Sequence, residues 1–179
     1  PLPALAGEHQ LMNASAVLQA LQRASHFLPV SRASIEQGLA GFHLAGRFQY
    51  FREKCTVLLD VAHNPQSVRV LARHLREHHA GQKIHAVFAI MRDKDITAVM
   101  EPVRERMADW YLAPLAMERA APVALLAEVL HTLTSVPVYS GFPDAPSAFA
   151  TALEAAHPDD VVLIFGSFFL VAEFLALKS

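Results

Sequence analysis

From position 56 onward the chain alternates between short apolar runs and segments whose apolar residues recur at helical spacing. The runs are 57–61 (VLLDV), 84–90 (IHAVFAI), 109–115 (DWYLAPL), 137–140 (PVYS) and 160–165 (DVVLIF). Helical patterns follow them over 66–79, 96–107, 122–133, 146–156 and 167–177. In the first, Val68, Leu71, Ala72 and Leu75 share a face, and Gly81 is placed to end the helix. In the second, Asp95 is a cap for a face made of Ile96, Val99, Met100, Val103 and Met107.

Repeated strand–helix alternation implies parallel strands joined by right-handed crossovers, with helices on both faces. Runs that are apolar at nearly every position fit strands buried on both sides. The expected fold is α/β, a doubly wound and mostly parallel sheet. Segments 47–51 and 54–59 add a β-hairpin ahead of the first crossover, turning near Arg52 and Glu53.

The first 30 residues differ in kind. Positions 13–24 form an amphipathic helix with Ala16, Val17, Ala20, Leu21 and Ala24 on one side, and a second short helix covers 32–38. A helix ahead of a complete α/β domain has no sheet of its own to pack on. Residues 1–30 are therefore expected to be the end of a preceding domain plus a linker, and 31–179 the α/β domain.

Composition narrows the function classes. With 53% hydrophobic residues and a formal charge of −2, the 179-residue chain can bury a full core and shows no basic surface for nucleic acid. The lone cysteine, Cys55, rules out an internal disulfide, fits a reducing compartment and is expected in the core, as is Trp110 with the phenylalanines. Glu8, His9 and Gln10 break any signal-like apolar stretch. The apolar segment 161–177 is short for a membrane span, and Gly166, Ser167 and Glu173 interrupt it. A cytoplasmic monomer away from membranes is the expectation.

In open parallel sheets, ligands bind beyond the carboxyl ends of the strands. Three polar loops are expected there: 60–64, 91–95 and Gly166-Ser167. Asp60 ends the first parallel strand, where a carboxylate can accept hydrogen bonds from ribose hydroxyls. Asn64 is the better cap for the helix begun by Pro65, which leaves Asp60 and His63 free. Ser167 either caps the last helix or presents its hydroxyl to a substrate carboxylate, and Gly166 would let a ligand approach the backbone. Arg47 is placed to bind phosphate or is an ordinary surface arginine. The segment 41–48 (GFHLAGRF) is not a phosphate loop, because it lacks Lys-Ser/Thr and a preceding strand. Asp93 and Asp95 read as a capped, solvated loop, and His74, His78 and His79 as a helix end; no metal site is assigned.

The segments H-Q-x-x-N-A (9–14), G-R-F-Q (46–49), D-V-A-H-N-P (60–65), D-K-D (93–95) and F-G-S-F (165–168) together resemble the C-terminal part of the bifunctional folylpolyglutamate synthase/dihydrofolate synthases, within the Mur ligase superfamily. Where that family often has Pro before G-R, this chain has Ala45. The resemblance implies a Rossmann-like C-terminal domain that closes over ATP held with Mg²⁺ by an N-terminal ATPase domain. It implies phosphorylation of a dihydropteroate or folate carboxylate, then attack on the acyl phosphate by the amine of L-glutamate. By similarity, Asn13 contacts the adenine side of ATP, Arg47 the phosphates and Asp60 the ribose, while His63 and Ser167 contact glutamate or the acyl phosphate. No catalytic residue is assigned within this chain, and without a phosphate loop it is expected to be inactive alone. The other readings are a stand-alone α/β nucleotide or amino-acid sensor and a protein-interaction domain.

Overall fold

The computed structural model describes residues 3, 4 and 8–178, and the chain divides into two compact units, Pro1–Phe48 and Gln49–Ser179. The division lies well past position 30, so the second short helix belongs to the first unit.

In the first unit, α1 spans Glu8–Arg23 and α2 spans Arg32–Gly41. Ser31 caps α2 by accepting a 3.1 Å hydrogen bond from the Ser34 amide. The apolar sides of α1 and α2, including Val17, Leu21, Ile35 and Leu39, line a groove of about 360 Å³. The side chain of His9, part of the H-Q-x-x-N-A segment, lies outside the described residues.

The second unit carries a six-stranded sheet of order β1-β2-β6-β3-β4-β5. Its strands are β1 (Gln49–Arg52), β2 (Thr56–Asp60), β3 (Ile84–Phe88), β4 (Asp109–Leu112), β5 (Val138–Tyr139) and β6 (Val161–Phe165). Only the β1–β2 pair is antiparallel, formed by the expected hairpin. The connections are α3 (Pro65–His78), α4 (Ile96–Met100), α5 (Val123–Leu133) and α6 (Ala145–Ala155), and α7 (Phe168–Ala176) follows β6. The doubly wound α/β architecture expected from the alternation is the one observed.

The period-two alternation of strand side chains divides the core into two layers. Val57, Leu59, Val87, Tyr111, Val162 and Ile164 face α6 and α7, packing with Phe149, Leu170 and Phe174. Leu58, Phe88, Trp110 and Phe165 point to the opposite side, where α3, α4 and α5 bury Leu71, Val99 and Leu126. Phe88 meets Trp110 edge-on at 5.8 Å and lies 4.8 Å from Phe165, within the range of favourable aromatic pairs.

Helix α1 begins at Glu8 rather than at Asn13, α2 runs on to Gly41 rather than ending at Gly38, and two helix ends in the second unit also differ from the sequence expectation. Helix α4 stops at Met100, followed by a turn and a short 3₁₀ segment, Arg104–Arg106. Pro102 is the reason: it has no N–H to donate and its ring crowds the preceding turn. Val103 and Met107 stay buried all the same. Helix α3 closes at His79, whose amide returns to the Leu75 carbonyl at 3.0 Å, so Gly81 lies in the turn beyond.

Strand β6 enters between β2 and β3, and α7 leaves it on the face opposite to α3 and α4. Helices departing to opposite sides of neighbouring strands open a crevice at their carboxyl ends. The apolar run 161–177 is thus a strand, a turn and a helix. Among the described residues no helix is long and apolar enough to cross a membrane.

Candidate functional site

Asp60 on β2 pairs with Phe165 on β6, which in turn pairs with Phe88 on β3. The loops that follow these three strands therefore emerge side by side, one strand spacing apart.

Asp60 is buried, and its Oδ1 accepts a 2.8 Å hydrogen bond from the Ala62 amide. This corrects the expectation of a free carboxylate. A short acidic side chain at the start of a turn bonds the backbone two residues on. The turn directs the chain to His63, whose Nδ1–H donates to the Val61 carbonyl at 2.8 Å. That bond engages Nδ1 and leaves Nε2 as the ring nitrogen not used by it. The ring also lies 5.6 Å from that of Phe168. Asn64 does cap α3, with a reciprocal bond through Ser67, and Pro65 opens the helix.

Ser167 is buried and caps α7 by accepting from the Phe169 amide at 3.1 Å. Gly166 has φ +103°, and a Cβ there would meet the Ala89 carbonyl at 2.5 Å and the Phe88 ring. The glycine is thus required by the protein's own packing.

The loop after β3 is tied to the loop after β4. Arg92 donates its amide to the Arg119 carbonyl at 2.9 Å, Met91 forms a bridge with Ala120, and Ala121 bonds Ile90 at 2.8 Å. Asp95 caps α4 through the Ala98 amide. Asp93 pairs with Lys94 at 3.0 Å and with Arg119 at 3.4 Å. The hydrogen bond from Lys94 holds the Asp93 carboxyl below the usual carboxylate range, with Arg119 adding to it.

His63, Ser167, Lys94 and Arg119 all line one cleft of about 260 Å³. Met91, Met117, Phe168 and Phe169 give it apolar walls. Sequence reasoning identified His63 and Ser167 but placed the phenylalanines in the core; Phe168 and Phe169 are in fact half-exposed. Lys94 carried a signal in D-K-D, whereas Arg119 carried none, because its loop reaches the cleft only through the bridge to Met91. The cleft combines two cations, a hydroxyl and an imidazole, a set suited to an anionic ligand bearing a proton donor.

Asn13 and Arg47 belong to the first unit, and Asp60, His63 and Ser167 to the second. Asn13 is exposed on α1 and donates to Gln10 Oε1 at 3.2 Å. Arg47 follows Gly46, which has φ +68°. Tyr50 sits between two of the clustered histidines, its hydroxyl 2.5 Å from His74 Nε2 and 2.9 Å from His79 Nε2. Among the described residues no group of three His, Cys, Asp or Glu side chains is arranged to hold a metal ion.

Comparison with known proteins bears on this arrangement. The dihydrofolate synthase/folylpolyglutamate synthase of Escherichia coli is 34% identical over 160 residues, 89% of this chain and 36% of the relative. The Buchnera aphidicola (Acyrthosiphon pisum) protein of the same name is 34% identical over 146 residues, covering 80% of this chain and 34% of the relative. The chain therefore spans about a third of the length of these curated relatives. E. coli FolC in complex with DHPP and ADP superposes with a TM-score of 0.83 at 34% identity, over 99% of this chain and 40% of that one. A bifunctional folylpolyglutamate synthase/dihydrofolate synthase with Mn, AMPPNP and L-glutamate bound superposes with a TM-score of 0.83 at 36% identity, over 99% of this chain and 41% of that one. Residues 46–168 match the family model described as Mur ligase, glutamate ligase domain. On the family match, the relatives and the shared fold, the chain belongs to the Mur ligase family and carries its glutamate ligase domain.

Proposed function

We propose that this chain is the C-terminal part of an ATP-dependent ligase that joins L-glutamate to dihydropteroate, to folates or to both. The observation that carries this reading is the cleft where His63, Ser167, Lys94 and Arg119 meet beyond the strand ends. Lys94 and Arg119 attract the carboxylates of glutamate, and Ser167 adds a hydroxyl. The amine of glutamate attacks the acyl phosphate carbon of the pterin-bearing substrate; an amide bond forms and phosphate leaves. His63, which lines the same cleft, is proposed to accept through Nε2 the proton the amine gives up.

The first compact unit, residues 1–48, fits the end of a preceding ATPase domain plus a linker, and the second unit fits the ligase domain. That preceding domain is proposed to supply the phosphate loop and most of the Mg²⁺ ligands. Asn13, Arg47 and Asp60 are proposed to meet the adenine, phosphates and ribose of ATP. Domain closure then excludes water, which would hydrolyse the acyl phosphate. The working molecule is proposed to be a cytoplasmic monomer.

The test is an assay of the full-length protein with dihydropteroate and tetrahydrofolate side by side. Release of ADP that requires glutamate, with one glutamyl residue gained per turnover, is the expected outcome. Asp60→Ala should raise the KM for ATP about tenfold, and Arg47→Ala should also lower kcat. ADP release that ignores glutamate would refute the ligase reading, and unchanged kinetics in both variants would remove the nucleotide roles.

A further inference from the structure

Arg47 stands between two residues whose backbones are left-handed. Gly46 has φ +68° and Phe48 has φ +43°, and among the described residues Phe48 is the only non-glycine with positive φ. Glycine takes such a φ freely, but a bulky side chain there is an outlier. The cost arises because the Cβ of an L residue crowds the following carbonyl oxygen. A residue keeps such a backbone only where the surrounding chain leaves no alternative.

Both neighbours of Phe48 are held. Upstream, the Arg47 amide donates to the Leu44 carbonyl at 3.3 Å, which closes a turn over 44–47 with Gly46 at its third position. Positive φ at that position is what a type II turn requires, and Ala45 takes the place that such turns often give to proline. Downstream, Gln49 opens β1 in register with Leu59 of β2. Phe48 is the single residue between turn and strand, so neither neighbour can take up its torsion. Arg47 and Phe48 are both half-buried, so neither is a freely wandering surface side chain.

We infer that Phe48 is a positioning residue for Arg47: its left-handed backbone sets how the guanidinium is presented to the phosphates of ATP. This rests on the reading above that Arg47 meets those phosphates. An ordinary backbone at position 48 would rotate the peptide plane that joins it to Arg47 and so displace the arginine side chain. A guanidinium held in advance loses little freedom when it grips a phosphate with its forked N–H donors.

The experiment compares variants of the full-length protein by the release of ADP in the presence of acceptor and glutamate. Phe48→Val brings a β-branched side chain that resists positive φ; kcat/KM for ATP should fall about tenfold, as in Arg47→Ala, while the KM for glutamate stays put. In the Arg47→Ala background the same change should cost less than about twofold, since no guanidinium is left to misplace. Phe48→Asn also loses the ring, but asparagine tolerates a left-handed backbone, and kcat/KM for ATP should stay within about threefold of wild type. An undiminished kcat/KM for ATP in Phe48→Val, or the same fold-loss with and without Arg47, overturns the role of Phe48 and leaves that of Arg47 standing. Unchanged kinetics in Arg47→Ala overturns both. Should Phe48→Val not fold, Phe48→Ala against Phe48→Asn decides, because both lack the ring and only asparagine accepts the left-handed backbone readily: equal kcat/KM for the two overturns the proposal.

Discussion

Gly166 faces the carbonyl oxygen of Ala89 so closely that a Cβ would lie 2.5 Å from it. The contact joins the end of β6 to the chain just past the end of β3, and it sets where Ser167 and α7 begin. Cleft and core therefore share one constraint at this point.

Gly166→Ala should be costly for two reasons. The residue sits at φ +103°, where L side chains are strained, and its Cβ would press on backbone and on the Phe88 ring. Together these predict a loss of about 2–4 kcal/mol. Urea unfolding of the variant measures it; a loss below about 0.5 kcal/mol would mean that the β3 end yields freely.

Ser167→Ala separates capping from binding. Loss of the bond from the Phe169 amide should cost about 1 kcal/mol. In the full-length protein the same change should raise the KM for glutamate well below the unfolding temperature. Lower stability with an unaltered glutamate KM would assign Ser167 to capping alone.

Two histidines predict opposite pH limbs. His85 is buried; its Nδ1 meets Asp109 at 2.9 Å and its Nε2 meets Asp160 at 3.3 Å. The Asp109 hydrogen bond raises its pKa against burial, and Asp160 helps. Its stabilisation is complete below the unfolded value of about 6.5 and is lost as pH rises through the raised folded value. For His74, burial first and then His78 and His79 push the pKa down to about 4. Between about pH 6.5 and 4 the unfolded chain takes up this proton while the folded chain refuses it, so stability falls on acidification. The urea midpoint should peak near pH 6.5. His74→Gln should flatten the acid side and His85→Gln the alkaline side; profiles identical to wild type in both would sink the assignment.

Much of the fold is legible in the residues themselves. Strands and helices announce themselves because burial on two faces demands continuous apolar runs and burial on one face demands helical spacing. Asn64, Asp95 and Ser167 cap helices through bonds spanning only two or three residues, so local chemistry suffices to find them. The motif histidine at position 63 and the serine at 167 were visible for the same reason: each stands at a boundary between a strand and a helix.

Other features needed the chain to fold. The engagement of Asp60 by the Ala62 amide and the interruption of α4 at Pro102 are exceptions, local effects that the hydrophobic pattern alone does not register. Arg119 is the clearest case. Nothing in its sequence neighbourhood distinguishes it, and it reaches the cleft because β6 inserts between β2 and β3 and because a bridge ties its loop to Met91. Residues 63, 94, 119 and 167 are far apart in the chain, and only sheet order, a product of long-range pairing, lines them up along one edge.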